Sequence, residues 1–165
     1  MDYPNNEVKK GFLSLVASNY FNTRESIYSW IRNAAFQLED GKIEDFRTGL
    51  TSFLAGIPYI MRRKENERER ERYFQYTFYL IMRLISVYTV YIEKLQSQGR
   101  VDCIVETPDF VYIFEFRLDG TAGEALHQIN EKGYALEYSS DKRRIYKIGA
   151  VFSSEACTIA DWLCE

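Results

Sequence analysis

The chain has 165 residues, of which 46% are hydrophobic and 16% aromatic, and its formal net charge is −3. This composition excludes a disordered chain, because 13 Tyr and 11 Phe side chains supply enough apolar surface for a core. It also argues against general binding of nucleic acid through basicity, so any such contact must come from a local patch. The length suits one ordinary domain with an appendage.

Cysteine usage and hydropathy indicate the cellular compartment of the chain. Cys103, Cys157 and Cys164 show no zinc-site spacing, and no apolar targeting segment stands near the first residue. We therefore expect a reducing, cytoplasmic environment. The most apolar stretch, Tyr76–Ile92, is interrupted by Arg83. A bilayer span needs about 20 apolar residues, so we expect no contact with a membrane.

Residues 1–63 are predicted to form a small helical region. Apolar side chains recur at helical spacing in three segments, Asn6–Tyr20, Ser26–Leu38 and Ile43–Leu54. Thr23 is a candidate N-cap for the second helix, and Asp40-Gly41 follows its end.

Residues 64–165 are predicted to form a separate α/β domain. Its entry, Arg62–Arg72, alternates Glu with Arg and is either a binding patch or, as we favour, a solvated connector. Tyr73–Ile85 is apolar nearly all round, which is typical of a helix packed deeply in a core.

A change of period after residue 86 indicates strands. The predicted elements are three strands, a helix and a further strand, at Val87–Leu95, Arg100–Glu106, Phe110–Leu118, Thr121–Glu137 and Arg144–Phe152. Thr121 is a possible N-cap, and Glu124 is placed for a capping box. A strand that follows a helical crossover indicates a mixed sheet.

The second and third strands are predicted to form a hairpin. If Thr107–Phe110 is its loop, Glu106 faces Val111 and Asp102 lies opposite Glu115. Side chains alternate between the two faces of a strand. One face then carries Asp102, Ile104, Ile113, Glu115 and Arg117. The other face is apolar and carries Val101, Cys103, Val105, Tyr112, Phe114 and Phe116.

Two carboxylates placed opposite each other repel, which a cation between them would relieve. Carboxylate oxygens with a backbone carbonyl nearby suit Mg²⁺ or Mn²⁺. Such an ion can activate water and stabilise charge that develops on a phosphate. The alternative is that Asp102 and Glu115 are surface residues paired with Arg100 and Arg117, and the residues alone favour this alternative.

Four ordered motifs resemble the PD-(D/E)XK nuclease superfamily. They are Gly99-Arg100-Val101-Asp102, Tyr112-Ile113-Phe114-Glu115-Phe116-Arg117-Leu118-Asp119, the stretch from Ala125 to Tyr134, and the stretch from Lys147 to Ser153. The resemblance is closer to the bacterial branch found C-terminal to a predicted AAA-type ATPase domain. Tyr3-Pro4-Asn5-Asn6-Glu7-Val8 is similar to the segment that joins the two domains there.

The resemblance implies a restriction-endonuclease-like core, a mixed β-sheet flanked by helices, preceded by the helical region. It implies Mg²⁺ or Mn²⁺ as cofactor and hydrolysis of phosphodiester bonds in DNA or RNA. Asp102 and Glu115 would be metal ligands, with Glu71 as a further acidic ligand or else a charge on the connector. Gln128 would position substrate, or is simply a polar residue on a helix face.

The chain departs from the family at position 117, where Arg replaces the catalytic Lys. Arg117 can bind a phosphate through two hydrogen bonds, but it stays charged and cannot act as a base. Whether the chain is an enzyme is therefore left open. The alternatives are a Mg²⁺-dependent nuclease, an impaired relative that binds nucleic acid or protein, and an assembly module for an ATPase. No phosphate-binding loop of an ATPase is present in the chain.

Other candidate residues are best interpreted as structural. His127, the only histidine, is expected on a helix surface. The basic run Lys142-Arg143-Arg144 is either a phosphate contact or a solvated turn. We expect Trp30 and Trp162 to pack in a core, and Cys103 to point to the apolar face.

Overall fold

A computed structural model describes residues 26–56, 77–83, 85 and 88–165, with side chains from residue 29 onward. Several predictions lie outside these residues: the helix Asn6–Tyr20, the N-cap Thr23, the charged connector, the domain boundary at residues 63 and 64, and Glu71. Within the described ranges, no helix is long and apolar enough to cross a membrane.

Two antiparallel helices come first, α1 (Ser26–Glu39) and α2 (Ile43–Ala55), close to their predicted bounds. Trp30 joins them: its ring stacks on Phe53 at 4.5 Å, and its indole N–H donates to the carbonyl of Gly49 at 3.0 Å. The expectation that Trp30 is a packing residue is confirmed. Residues 77–83 are helical and contribute buried side chains, as predicted.

The centre of the fold is a five-stranded sheet with the order β1-β2-β3-β4-β5. The strands are β1 (Thr89–Gln96), β2 (Gly99–Glu106), β3 (Phe110–Leu118), β4 (Arg144–Phe152) and β5 (Ile159–Cys164). All neighbouring pairs are antiparallel except β3 and β4, which are parallel and are connected by helix α3 (Ala122–Glu131). The predicted mixed sheet is confirmed, and β5 is a strand that the sequence analysis missed.

Each face of the sheet buries its own core. On one face, Cys103, Val105, Tyr112 and Phe114 pack with α1 and α2 and with Phe78, Ile81, Met82 and Ile85, and Trp162 joins them. The opposite face packs α3 and the turns after it, with Ile104 and Ile113 among Leu126, Ile129, Tyr134 and Tyr138. The predicted division of the faces is thus confirmed for Cys103, which is buried, and for its neighbours along β2 and β3.

The prediction was wrong for Val101, which packs on the α3 face instead of beside Cys103. The irregularity lies at Asp102, whose rung is missing from both neighbouring ladders, and Glu93 beside it in β1 has a φ of +50°. The β1–β2 pairing runs from Ile92–Cys103 directly to Lys94–Val101 and omits the rung between them. The alternation of faces along β2 therefore breaks between Cys103 and Val101, and Val101 lies on the α3 side.

Helix α3 begins as predicted and ends early. Thr121 is its N-cap, and the reciprocal hydrogen bonds of a capping box join it to Glu124. The helix ends at Glu131 rather than Glu137, because Gly133 adopts a φ of +62° that breaks the helical path. Asp161 on β5 also holds the helix start, accepting from the Ala122 N–H at 2.9 Å.

Candidate metal centre

The predicted hairpin register places Asp102 level with Glu115. Glu106 pairs with Val111 and Cys103 with Phe114, as the loop over residues 107–110 requires. The backbone ladder stops at this rung, and the Asp102 carboxylate instead accepts from the Phe116 N–H at 2.9 Å. The side chain of Asp102 therefore lies in the gap between the strands, directed at the segment that carries Glu115.

Glu115 is a buried acid that lacks a full set of partners. It is only 4% exposed. Its Oε1 accepts a short hydrogen bond from the Gln128 amide. Its Oε2 is buried and accepts no hydrogen bond from any part of the chain that the structure describes. A buried carboxylate oxygen without a partner is costly, so this position favours a proton or a cation.

Burial, and after it the negative charge of Asp102, raise the pKa of Glu115 to about 8. The backbone N–H of Asp102 and the charges of Arg117 and Arg100 act in the opposite direction. Burial also raises the pKa of Asp102, against the hydrogen bond from Phe116 and the same two arginines. The two acids therefore disfavour being ionised together.

Arg117 and Gln128 complete a chain of contacts that begins at Glu115. The Arg117 Nη2 donates to the Gln128 Oε1 at 2.5 Å, and the amide nitrogen of Gln128 donates to Glu115. The structure thus brings together four residues that the sequence singled out, including Asp102. Their catalytic roles stay predictions.

The interpretation of the two acids as surface residues paired with arginines is wrong. Glu115 is buried, Arg117 bonds to Gln128, and Arg100 lies 3.4 Å from Glu93 instead. Asp102 and Glu115 therefore lie together within the sheet, and neither forms a solvated ion pair with Arg100 or Arg117.

Gln128 reaches Glu115 because α3 lies unusually close to the sheet. Gly149 on β4 pairs with Glu115 on β3. A Cβ atom at Gly149 would lie 2.2 Å from the Ala122 carbonyl oxygen and 2.8 Å from the Leu126 nitrogen. Only glycine permits this approach, which the sequence analysis did not identify although Gly149 stands within the quoted motif Lys147 to Ser153.

The two acids fit a hard divalent cation. Asp102 contributes a carboxylate in a strand gap, and the unpartnered Oε2 of Glu115 lies on the neighbouring strand. Mg²⁺ is commonly bound by one or two carboxylates, with water and substrate phosphate as the remaining ligands. The described residues contain no cluster of three or more His, Cys, Asp or Glu side chains able to hold a metal. Among the described residues, a metal site here would therefore have two carboxylate ligands.

An open groove lies along α3 beside Arg117 and Gln128. It is lined by charged and polar side chains, among them Arg117, Thr121, Glu124, His127, Gln128 and Lys132. His127 lies exposed on the helix surface, 3.9 Å from Glu131, as expected for a surface histidine.

Within the basic run after α3, Lys142 and Arg144 are exposed, whereas Arg143 is neither a free phosphate contact nor a solvated side chain. Arg143 is held by both oxygens of Asp141, by the Glu106 carboxylate and by the Thr107 carbonyl. Arg144 lies over the Tyr146 ring at 4.7 Å. The guanidinium of Arg143 thus fastens β4 to the β2–β3 hairpin at the end of the sheet away from Asp102.

A mixed sheet with one parallel pair, a crossover helix and an acidic pair on the central hairpin define a restriction-endonuclease-like α/β domain. The chain belongs to the PD-(D/E)XK nuclease superfamily, whose sequence model matches residues 69–162.

One curated relative is described as an uncharacterized protein in the vnfD 5′ region of Azotobacter chroococcum mcd 1. It is 28% identical over 165 residues, which cover 99% of this chain and 32% of the relative. The chain thus spans about a third of the length of that relative. No solved structure matches the chain significantly.

Proposed function

We propose that the chain is a divalent-metal-dependent nuclease that hydrolyses phosphodiester bonds of DNA or RNA. Membership of the superfamily supports nuclease-like activity, and one observation supports this particular centre. Glu115 is buried beside Asp102 with its Oε2 lacking a partner. A protein without a use for this charge would be more stable with an apolar residue there.

In this proposal, Asp102 and Glu115 hold Mg²⁺ or Mn²⁺. A bound divalent ion supplies an activated water and stabilises charge on the phosphate. The hydrogen bond from Phe116 fixes the Asp102 carboxylate, and the Gln128 amide fixes Glu115. Glu71, which lies outside the described residues, is proposed as a further acidic ligand.

Arg117 is proposed to bind the scissile phosphate. One end of its guanidinium is held by Gln128. The remaining N–H groups can donate to phosphate oxygens, which suits the planar geometry of Arg. A guanidinium donates hydrogen bonds and does not serve as a general base, so the proton of the attacking water is proposed to pass to bulk water. Gln128 is proposed to orient Arg117 as well as Glu115.

The first test is cleavage itself. We expect the protein to cut DNA or RNA with Mg²⁺ or Mn²⁺ and not with EDTA. We expect Asp102→Ala to reduce the rate at least about a thousandfold, because it removes an ion ligand. The matched control is Asp109→Ala, an exposed acid on the same hairpin. Equal rates for the wild type and Asp102→Ala on every substrate would refute the proposal.

A second candidate, an impaired relative that binds nucleic acid or protein, is favoured by one observation, the arginine at position 117. The variant Arg117→Lys separates the two candidates. If the wild type is a working enzyme, we expect Arg117→Lys to lower kcat about tenfold or more. The reason is that a lysine ammonium cannot form the two parallel hydrogen bonds that a guanidinium makes to a phosphate. Cleavage by Arg117→Lys alone would establish the impaired relative. Rates with defined DNA and RNA substrates measure this.

We also propose that the domain works with an AAA-type ATPase domain or subunit. Roughly two thirds of the A. chroococcum relative lies outside the aligned part, which leaves length for other domains. Co-purification of the chain with an ATPase from its own cells would support the association. Its absence under conditions that preserve nuclease activity would count against it.

A further inference from the structure

We propose that the Arg100 guanidinium binds a second phosphate of the nucleic acid, on the β2 side of the metal centre, and that Glu93 competes with that phosphate. The inference rests on the proposed nuclease function and adds a substrate-binding residue to it. It places one arginine on each side of the carboxylate pair, Arg117 on β3 and Arg100 on β2.

The backbone of Arg100 is held firmly. The hydroxyl of Tyr134 donates to the Arg100 carbonyl at 2.9 Å, and the Tyr134 side chain is buried. Gly99 makes room for this contact, because a Cβ there would lie 2.9 Å from the Tyr134 hydroxyl. Tyr134 belongs to the turn after α3, so the helix that carries Gln128 also fixes the start of β2.

The guanidinium of Arg100 forms an ion pair with the β1 residue that lies level with Asp102. Its Nη1 lies 3.4 Å from the Glu93 Oε1. Glu93 occupies the β1 position between the Ile92–Cys103 and Lys94–Val101 pairs, which is the position opposite Asp102. The ion pair with Glu93 therefore holds the Arg100 guanidinium beside a residue that lies level with Asp102.

The electrostatics agree with this placement. Both arginines lower the pKa of Asp102 and of Glu115. Arg100 has the larger influence on Asp102, whereas Arg117 has the larger influence on Glu115. Each acid is thus influenced more by the arginine of its own strand, Asp102 by Arg100 on β2 and Glu115 by Arg117 on β3.

The existing partner of Arg100 is easily displaced. The side chains of Arg100 and Glu93 are 56% and 58% exposed. Such exposed pairs contribute little to stability, because water and salt screen them. A phosphate offers two oxygens in the geometry that a guanidinium prefers. A chain with a net charge of −3 also needs local cations to bring a polyanion to two carboxylates.

The test measures binding by fluorescence anisotropy with labelled single-stranded DNA, duplex DNA and RNA, in EDTA and in Ca²⁺. We expect Arg100→Ala to weaken binding about tenfold and to lower the salt slope of log K by about one unit. Arg100→Lys is expected to keep the slope. We expect Glu93→Gln to tighten binding about threefold, because it removes a competitor for Arg100.

The exposed pair Glu44 and Arg47 on α2 provides matched controls, since its atoms lie 3.3 Å apart on another part of the surface. Glu44→Gln and Arg47→Ala are expected to leave binding unchanged. The double variant Glu93→Gln/Arg100→Ala is expected to bind like Arg100→Ala alone. If Arg100→Ala fails to fold, the Glu93→Gln and Arg100→Lys variants decide the question.

Three results overturn the inference. Unchanged binding by Glu93→Gln refutes it, and so does an equal gain from Glu93→Gln in the Arg100→Ala background, which would show a general charge effect. In both cases wild-type binding and cleavage leave the proposed nuclease function intact. A wild type that neither binds nor cleaves any of the probes refutes the nuclease proposal, and the inference about Arg100 falls with it.

Discussion

Glu115→Gln is expected to abolish metal-dependent cleavage and, at the same time, to stabilise the metal-free protein at high pH. The loss of a charged ion ligand removes roughly a thousandfold in rate, equivalent to about 4 kcal/mol of transition-state stabilisation. Glutamine keeps the size and the oxygen that accepts from Gln128. It removes the charge that burial and Asp102 oppose.

The direction of the pH effect follows from the raised pKa of Glu115. In the unfolded chain this carboxyl ionises near its usual pKa of 4.5, whereas in the folded protein it ionises at about 8. Between these values the folded state holds the proton and the unfolded state does not. The free energy of unfolding therefore falls as pH rises through this window. The Glu115→Gln variant has no carboxyl group at this position, so this loss of stability with rising pH is absent from it.

Thermal unfolding of the metal-free wild type and of Glu115→Gln between pH 4.5 and pH 9 measures the effect. We expect similar stabilities at the acidic end and a higher Tm for the variant at the alkaline end. Adding Mg²⁺ or Mn²⁺ is expected to raise the Tm of the wild type only. This increase should grow with pH, because ion binding displaces the proton of Glu115.

Glu106→Gln is the matched control on the same hairpin. Glu106 accepts from Arg143 and from Tyr138, at the far end of the strands from the acidic pair. Its substitution is expected to lower stability and to leave metal binding and cleavage intact. A Glu115→Gln variant that is less stable than the wild type at pH 9 would contradict the view of Glu115 as a destabilising buried acid.

The hairpin that carries Asp102 and Glu115 could be predicted because its register depends on residues close together in the sequence. A Pro108-Asp109 loop fixes which residues of β2 and β3 face each other, and alternation then places Asp102 opposite Glu115. The bounds of β3 and β4 follow from continuous β-rich runs between turn residues, and the Thr121 capping box follows from a short pattern.

The features that the sequence did not reveal depend on contacts between distant segments. Glu93 adopts a left-handed conformation, which no local pattern marks for a glutamate. Val101 lies on the other face because the alternation along β2 breaks at Asp102, where pairing with both neighbouring strands is interrupted. Strand β5 lacks a regular alternation of buried and exposed residues because its pairing with β4 shifts between Val151 and Phe152. The early end of α3 could have been predicted from Gly133, because glycine commonly follows the last residue of a helix.

The contact between Gln128 and Glu115 depends on the largest of these distant effects, the close approach of α3 to β4 at Gly149. Gly149→Ala is therefore expected to destabilise the protein by about 3 kcal/mol or more and to abolish cleavage. The added methyl group would meet backbone atoms of Ala122 and Leu126, which cannot turn aside as a flexible side chain can. The helix must move outward, and Gln128 then leaves Glu115 and Arg117 without their common partner.

Gly123→Ala, in the first turn of α3, is the matched control for Gly149→Ala. A Cβ at Gly123 would meet only Leu163 and Thr121 side-chain atoms, at 3.9 and 4.0 Å. Alanine is the better helix former by about 1 kcal/mol, so this variant is expected to be slightly more stable and fully active. Chemical denaturation and cleavage rates for both variants measure the difference. A folded, active Gly149→Ala protein would show that the distance between α3 and the sheet does not determine the geometry of the acidic centre.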